Sequence, residues 1–260
     1  MLTIRVVKIG GNELDRPDWV AAAARALGKN GPTVVVHGGG HAVSDWSRRL
    51  GLPVEKKDGL RVTTPEIAQV VEMVLGGPIN RLLVTALRTA GLDAIGLSGV
   101  DGGLLTAQPL QNGAGLGAVG EIAHVRASLL QSLLLAGLTP VVAPVAPSAD
   151  APGQPLNVNA DQAAAAIAAA LEAQELLFVS DVPGVTAQGV IQPTLAAAEI
   201  ETMIEEGVAT GGMAAKLRAA AQALRAGVRA VRIGNLDMLE RATAGTRLLA
   251  VPPAPAVQPA

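Results

Sequence analysis

The sequence predicts an α/β fold organised on a parallel sheet, and three observations carry that prediction. Residues 33–36 read Thr33-Val34-Val35-Val36, a β-branched run suited to a buried strand, and lead straight into His37-Gly38-Gly39-Gly40. The N-terminal apolar run 2–9 likewise closes on a glycine pair, in Lys8-Ile9-Gly10-Gly11. Segments of helical spacing separate the strands, so both glycine turns fall at strand C-terminal ends, where open α/β sheets place their ligand crevice. Glycines there let the chain turn sharply and approach another molecule closely, and the helix that follows offers unpaired amide N–H groups to an anion. An ordinary strand-to-helix turn has the same residues, so neither turn alone defines a phosphate cradle.

In chain order, the 2–9 strand is followed by a helix over 18–27, alanine-rich in its spacing. After the valine strand comes a helix over 41–50, then a charged hairpin over 53–63 that turns at Asp58-Gly59, with Arg61 on its far arm and Lys56 and Lys57 on a solvated face. Residues 65–90 form a helix broken or bent near Gly76-Gly77-Pro78, followed by a strand over 93–97 and a loop from Ser98 to Gly103. The glycine-rich stretch 104–125 reads as small hairpins, 127–136 as a helix, 139–143 as a buried strand and 144–155 as loop or hairpin. Asn157-Val158-Asn159-Ala160-Asp161 then precedes a helix over 162–171; an N-cap role for Asn159 or Asp161 explains one of the three polar residues and leaves two over.

The strand 176–179 ends in Ser180-Asp181-Val182, and a helix is expected over 195–206. Thr210-Gly211-Gly212-Met213-Ala214-Ala215-Lys216 opens a helix that continues to residue 226. Lys216 lies in its first turns, where the macrodipole favours anions, so a lysine makes sense there beside a shared negative ligand. A strand over 230–233, a short helix over 238–242, a strand over 247–251 and a proline-rich tail that should fray complete the chain.

Composition narrows the functional classes. The chain has 260 residues, half of them apolar, enough for one large domain or two lobes sharing a sheet. With two tryptophans, one phenylalanine and no tyrosine, aliphatic residues must fill the core and there is no platform for base stacking. The net charge of −2 also argues against nucleic acid, which calls for a basic excess. The absence of cysteine excludes disulfides, thiolate nucleophiles and Cys-ligated metals. The glycine pair comes too early for a signal peptide and no uncharged apolar run is long enough for a bilayer, so a cytoplasmic protein without membrane contact is expected.

Six stretches then combine: Lys8-Ile9-Gly10-Gly11, His37-Gly38-Gly39-Gly40, Gly59-Leu60-Arg61-Val62-Thr63, Asn157-Val158-Asn159-Ala160-Asp161, Ser180-Asp181-Val182 and Gly211-Gly212-Met213-Ala214-Ala215-Lys216. In this order, spread over nearly the whole chain, they resemble the amino acid kinase family. The resemblance implies a three-layer αβα sandwich with a mainly parallel central sheet, a single domain in two lobes. Residues 1–155 or so would bind the acceptor and dimerise, about 156–251 would bind ATP, and 252–260 would be the frayed tail. It implies transfer of the γ-phosphoryl group of ATP to the side-chain carboxylate of N-acetyl-L-glutamate. A carrier-linked aminoadipate or glutamate as acceptor, and a non-catalytic sensor on the same scaffold, are the alternatives. The His-Gly-Gly-Gly and Asn-Val-Asn-Ala-Asp forms favour the acetylated acceptor, and the presence of both lysines favours catalysis.

Roles follow from the resemblance as well. Lys8 and Lys216 would stabilise the phosphoryl group in transit, with Asp161 orienting both. Gly39, Gly40, Arg61 and Asn157 would form the acceptor site, Arg61 and Asn157 holding the α-carboxylate. Gly10, Gly11, Gly38, Asp181, Gly211, Gly212 and Met213 would bind the nucleotide and its phosphates. Mg2+ would be held mainly through ATP oxygens, without a protein metal site. Arginine-inhibited members carry an extra helix ahead of the first strand, and here that strand begins at about residue 2, so the expectation is a homodimer insensitive to arginine. His37 is expected to pack beneath the glycine loop, because a carboxylate acceptor offers no proton for it to take.

Overall fold

The structure, a computed structural model, describes residues 3–250 apart from 30, 58, 111, 112, 114 and 152. The expected turn residue Asp58, the strand limits at 2 and 251 and the tail 252–260 lie outside the described residues. An eight-stranded sheet forms the centre, in the order Thr194–Ala196, Thr246–Leu249, Val231–Gly234, Glu175–Val179, Arg5–Ile9, Thr33–His37, Thr139–Ala143 and Ala94–Ser98. Neighbours are parallel except Val231–Gly234 with Thr246–Leu249, so the expected mainly parallel sheet is present.

Period-two alternation explains the layers. Along the first strand Val6 enters one core and Val7 and Ile9 the other; along the second, Val34 and Val36 oppose Val35. On the Val6 side lie the helices Ala127–Leu135, Ala160–Ala170 and Gly211–Arg225, through Leu130, Ile167 and Leu217. On the Val7 side lie Pro17–Leu27, Gly40–Arg49, Pro65–Val74 and Asn80–Thr89, through Leu27, Val43, Ile67 and Leu83. Both faces are therefore covered, which is why the central strands are apolar throughout. Ala160–Ala170 presents Ala163, Ala164 and Ala168 to the core, small side chains that let a helix lie close to the sheet.

The long helix bends where expected: Pro65–Val74 and Asn80–Thr89 flank a π-helical turn, Leu75–Ile79, inside which Gly77 leaves helical geometry. By length and composition alone Pro65–Thr89 would qualify to cross a membrane. Its buried Ile67, Val70, Val71, Val74, Leu83 and Leu87 account for that apolarity as core packing. The 104–125 region is one hairpin, Leu105–Pro109 with Val119–Val125, and joins Pro155–Val158 and Val145–Pro147 in a second, four-stranded sheet. The 195–206 helix is corrected: Thr194–Ala196 is the sheet's edge strand, and only Ile200–Glu205 is α-helical. Leu195 and Ala196 gain burial in the sheet, and the Ala196 amide donates to Glu199 Oε2 at 2.8 Å, which starts the helical turn after the strand. A small hairpin, Thr186–Ala187 with Val190–Ile191, was not foreseen.

Candidate active site

Lys8 lies within the first strand, flanked by Phe178 and Val36 on the neighbouring strands, and is only 5% exposed. It is therefore not a solvated strand terminus. Its Nζ is 2.7 Å from Asp161 Oδ1. Asp161 sits in the first turn of Ala160–Ala170, where Asn159 is the N-cap: its Oδ1 accepts from the amides of Asp161 at 2.8 Å and Gln162 at 3.2 Å. Lys216 comes from the start of Gly211–Arg225, its Nζ 4.0 Å from Asp161 Oδ2 and donating to the Gly212 carbonyl at 3.4 Å. One carboxylate thus stands between two ammonium groups contributed by distant parts of the chain. Burial, then repulsion from Lys8, lowers the pKa of Lys216, while Asp161, Glu13 and Asp181 oppose the shift.

The two glycine turns meet. A Cβ on Gly11 would lie 2.5 Å from the Gly39 amide nitrogen, and one on Gly38 would lie 3.2 Å from the Gly11 nitrogen. Gly39 has φ 157°, and a Cβ there would also strike Leu75 Cδ2 at 2.6 Å. Glycine is needed here for close approach of backbone to backbone.

Two cavities open around this junction. One, of about 200 Å³, is lined by Gly38, Gly39, Gly40, Arg61 and Asn157, together with Lys56, for which the sequence predicts a solvated face. Arg61 Nη2 donates to the Gly40 carbonyl and to Ser44 Oγ, both at 2.7 Å, whereas its buried Nη1 has no partner. Asn157 Nδ2 donates to Thr63 Oγ1 at 3.2 Å. The guanidinium is thus anchored on one side and has a donor to spare on the other, an arrangement suited to a carboxylate. The second cavity, of about 370 Å³, is lined by Lys8, Gly10, Gly11, Asp181, Gly212, Met213 and Lys216. Gly211, the first residue of its helix, does not line it. Of the expected residues, the structure gathers all but Gly211 around the two cavities and the carboxylate between the lysines, although Gly38, expected with the nucleotide, lines the cavity of Arg61 and Asn157 instead.

His37 is fully buried, and burial pushes its pKa down to about 4. Its Nδ1 lies 2.8 Å from the Gly38 carbonyl, which can only accept, so the proton is on Nδ1. Nε2 then accepts from Asn80 Nδ2 at 3.2 Å. Nδ1 thus holds the glycine turn and Nε2 ties it to Asn80 on the Asn80–Thr89 helix. Asn80, Glu13 and Ser180 carry little sequence signal: Asn80 is hidden in a bent helix, Glu13 lies just past the glycine pair, and Ser180 sits inside the Ser180-Asp181-Val182 strand end.

Buried cations beside a glycine-lined cavity, with a free guanidinium donor in a second cavity, are what transfer of a phosphoryl group between two small molecules requires. The chain belongs to the amino acid kinase family, whose model matches residues 3–235. It is 48% identical over 249 residues to the acetylglutamate kinase of Chloroflexus aurantiacus, covering 95% of this chain and 97% of that one. It is 47% identical to the acetylglutamate kinase of Geobacillus kaustophilus over 221 residues, 84% of each chain. Among solved structures, smu.665 from Streptococcus mutans UA159 superposes with a TM-score of 0.84 at 31% identity, covering 96% of this chain and all of that one. Carbamate kinase from Giardia lamblia, solved with AMP-PNP, has a TM-score of 0.73 at 15% identity, covers 95% of this chain and 98% of its own, and shares the fold.

Proposed function

We infer that the protein uses ATP to phosphorylate the side-chain carboxylate of N-acetyl-L-glutamate, an early step of arginine biosynthesis. The observation that carries this reading is the Lys8–Asp161–Lys216 row beside the two cavities. A glutamate-type carboxylate has a pKa of about 4.3 and is already the nucleophile at neutral pH. The protein therefore has no proton to remove. Its task is to bring two anions together, which the lysines achieve by charge and the abutting glycine turns by backbone amides. Asp161 offsets the repulsion between the lysines. Arg61 and Asn157 hold the acceptor's α-carboxylate, while Asp181, Gly212 and Met213 face the nucleotide. Mg2+ would be held mainly through ATP oxygens, where it would supply positive charge, and oxygen-bearing Glu13, Ser180 and Asp181 line the same cavity.

The lobe division near residue 155 is proposed on the same grounds, as is a cytoplasmic location, where ATP is supplied. A homodimer is supported by the exposed apolar side chains of Trp46, Met73 and Leu82 on adjoining helices. Sedimentation of a monomer at micromolar concentration would remove that assignment. The activity itself is tested by ATP turnover, with the acyl phosphate trapped as its hydroxamate. Acetylglutamate should support it, and turnover only with a carrier-linked amino acid would overturn the acceptor.

Arg61 gives a sharper test of the acceptor cavity. Burial, then the nearby Arg48, lowers its pKa, and an arriving carboxylate counteracts both effects. Lysine offers a point charge where the planar fork reaches Gly40, Ser44 and the ligand together. Arg61→Lys should raise the KM for acetylglutamate roughly tenfold or more, as expected for a lost charged hydrogen bond, with the KM for ATP nearly unchanged. Equal rises in both would remove Arg61 from the acceptor site.

A further inference from the structure

The cavity assigned above to ATP has an unexpected charge balance. Its lysines, Lys8 and Lys216, face three carboxylates: Asp161 between them, and Glu13 and Asp181 on the cavity wall. A polyphosphate entering such a site meets no excess of cationic side chains, although like charges a few ångströms apart in a partly buried setting repel by several kcal/mol.

Glu13 is the residue hardest to explain. It follows Gly10-Gly11 in a short 3-10 turn, Glu13–Asp15, which folds its carboxylate back over Gly10, so that a Cβ on Gly10 would collide with Oε2. The side chain is 4% exposed, and Oε2 is buried without a hydrogen-bond partner. No salt bridge to Glu13 is formed by the lysines and arginines whose pairs are described; Lys216 feels its charge across the cavity but does not contact it. Ser180 is 6% exposed, lines the same cavity, and its Oγ is likewise buried and unpartnered. Unmet buried oxygens are costly, and two in one cavity indicate a missing electropositive partner.

We propose that Glu13 directly ligates the divalent cation that enters with ATP, with Ser180 and Asp181 as the neighbouring oxygen donors. The proposal rests on the reading of this cavity as the ATP site, and goes beyond a cation held by phosphate oxygens alone. Mg2+ is commonly held by one or two carboxylates plus substrate phosphates, with water filling the remaining positions. No cluster of three acidic or histidine side chains fit for a metal occurs among the described residues, so the protein half of the site depends on the nucleotide to complete it. Bound there, the cation reverses the local balance and turns Glu13 from a repulsive neighbour of the phosphates into their tether.

The test uses Mn2+ as a probe with AMP-PNP, which removes turnover from the readout. Free Mn2+ is followed by electron paramagnetic resonance as it is titrated into wild type and Glu13→Gln, each saturated with AMP-PNP, and metal-free AMP-PNP affinity is measured separately by calorimetry. Glu13→Gln should weaken Mn2+ by roughly 10- to 100-fold, as loss of metal-site support does, and leave metal-free AMP-PNP as tight or tighter. Unchanged Mn2+ affinity, or equal losses with and without metal, would overturn the proposal and leave Glu13 a structural group. Should Glu13→Gln fail to fold, wild type labelled with 13C at glutamate carboxyls decides the matter: hyperfine coupling to Mn2+ supports ligation, and its absence overturns it. Wild type that binds no AMP-PNP removes the ATP-site reading as well, whereas AMP-PNP binding indifferent to Glu13 removes the ligation alone.

Discussion

Lys8→Ala should lower kcat by about 100- to 1,000-fold, the loss expected when one donor to a transition-state oxygen is removed from a water-poor site. The KM for acetylglutamate should change little, because the ammonium acts where charge spreads over the moving phosphoryl oxygens and less in the ground state. The geometry makes the effect large: Lys8 is held on a central strand and pinned 2.7 Å from Asp161, so its ammonium is already in place when the substrates arrive. Steady-state kinetics with both substrates, together with a melting curve to confirm folding, provide the check. A variant with near wild-type kcat and weakened acceptor binding would move Lys8 out of the transition state and into the acceptor site.

Asp161→Asn should produce two separable losses. Removing one partner of a buried ion pair typically costs about 3–5 kcal/mol, so the melting temperature should fall clearly. It also leaves Lys216 facing Lys8 without the carboxylate that opposes that repulsion, driving a lysine pKa that is already lowered further down. A lysine whose folded pKa lies below its unfolded value near 10.4 penalises the fold while charged, so the variant should regain stability as pH rises through that interval. Turnover should fall by roughly 10- to 100-fold without vanishing, since both ammonium groups remain. From pH 6 to 9 no acidic limb should disappear, because the acceptor is ionised and His37, with its pKa near 4, is neutral throughout. A limb near neutrality in wild type that is lost only in Asp161→Asn would identify Asp161 as a base and displace this mechanism.

Local signals carried much of the fold. The valine strand, the glycine-terminated strand ends and the break at Gly76-Gly77-Pro78 each have a cause within a few residues, and each is present. What stayed hidden depended on distant partners. Leu195 and Ala196 look helical until Leu248 and Leu249 are placed beside them, and the paired strands after residue 104 show their register only when Asn157 arrives next to Val119. The site divides in the same way. Lys8, Asp161 and Lys216 were nameable from their motifs, but that one carboxylate lies against both lysines is a matter of packing between elements remote in sequence. Glu13 had no signal of its own, because a glutamate beginning a turn is ordinary until its oxygen is found buried and unpartnered.

The contact between Gly11 and Gly39 limits how this sequence can diverge. Most steric conflicts are negotiable, since a bulkier residue on one side is accommodated by a smaller one opposite. Here the obstacle to a side chain at Gly11 is the Gly39 main chain, which has nothing left to trim. No second substitution at the point of contact compensates for the first; relief would require shifting a whole loop, and with it the mouths of both cavities. In a library that varies the two positions together, double variants should fare no better than single ones. The pair is therefore closed to the stepwise exchange by which the surrounding core can be rewritten.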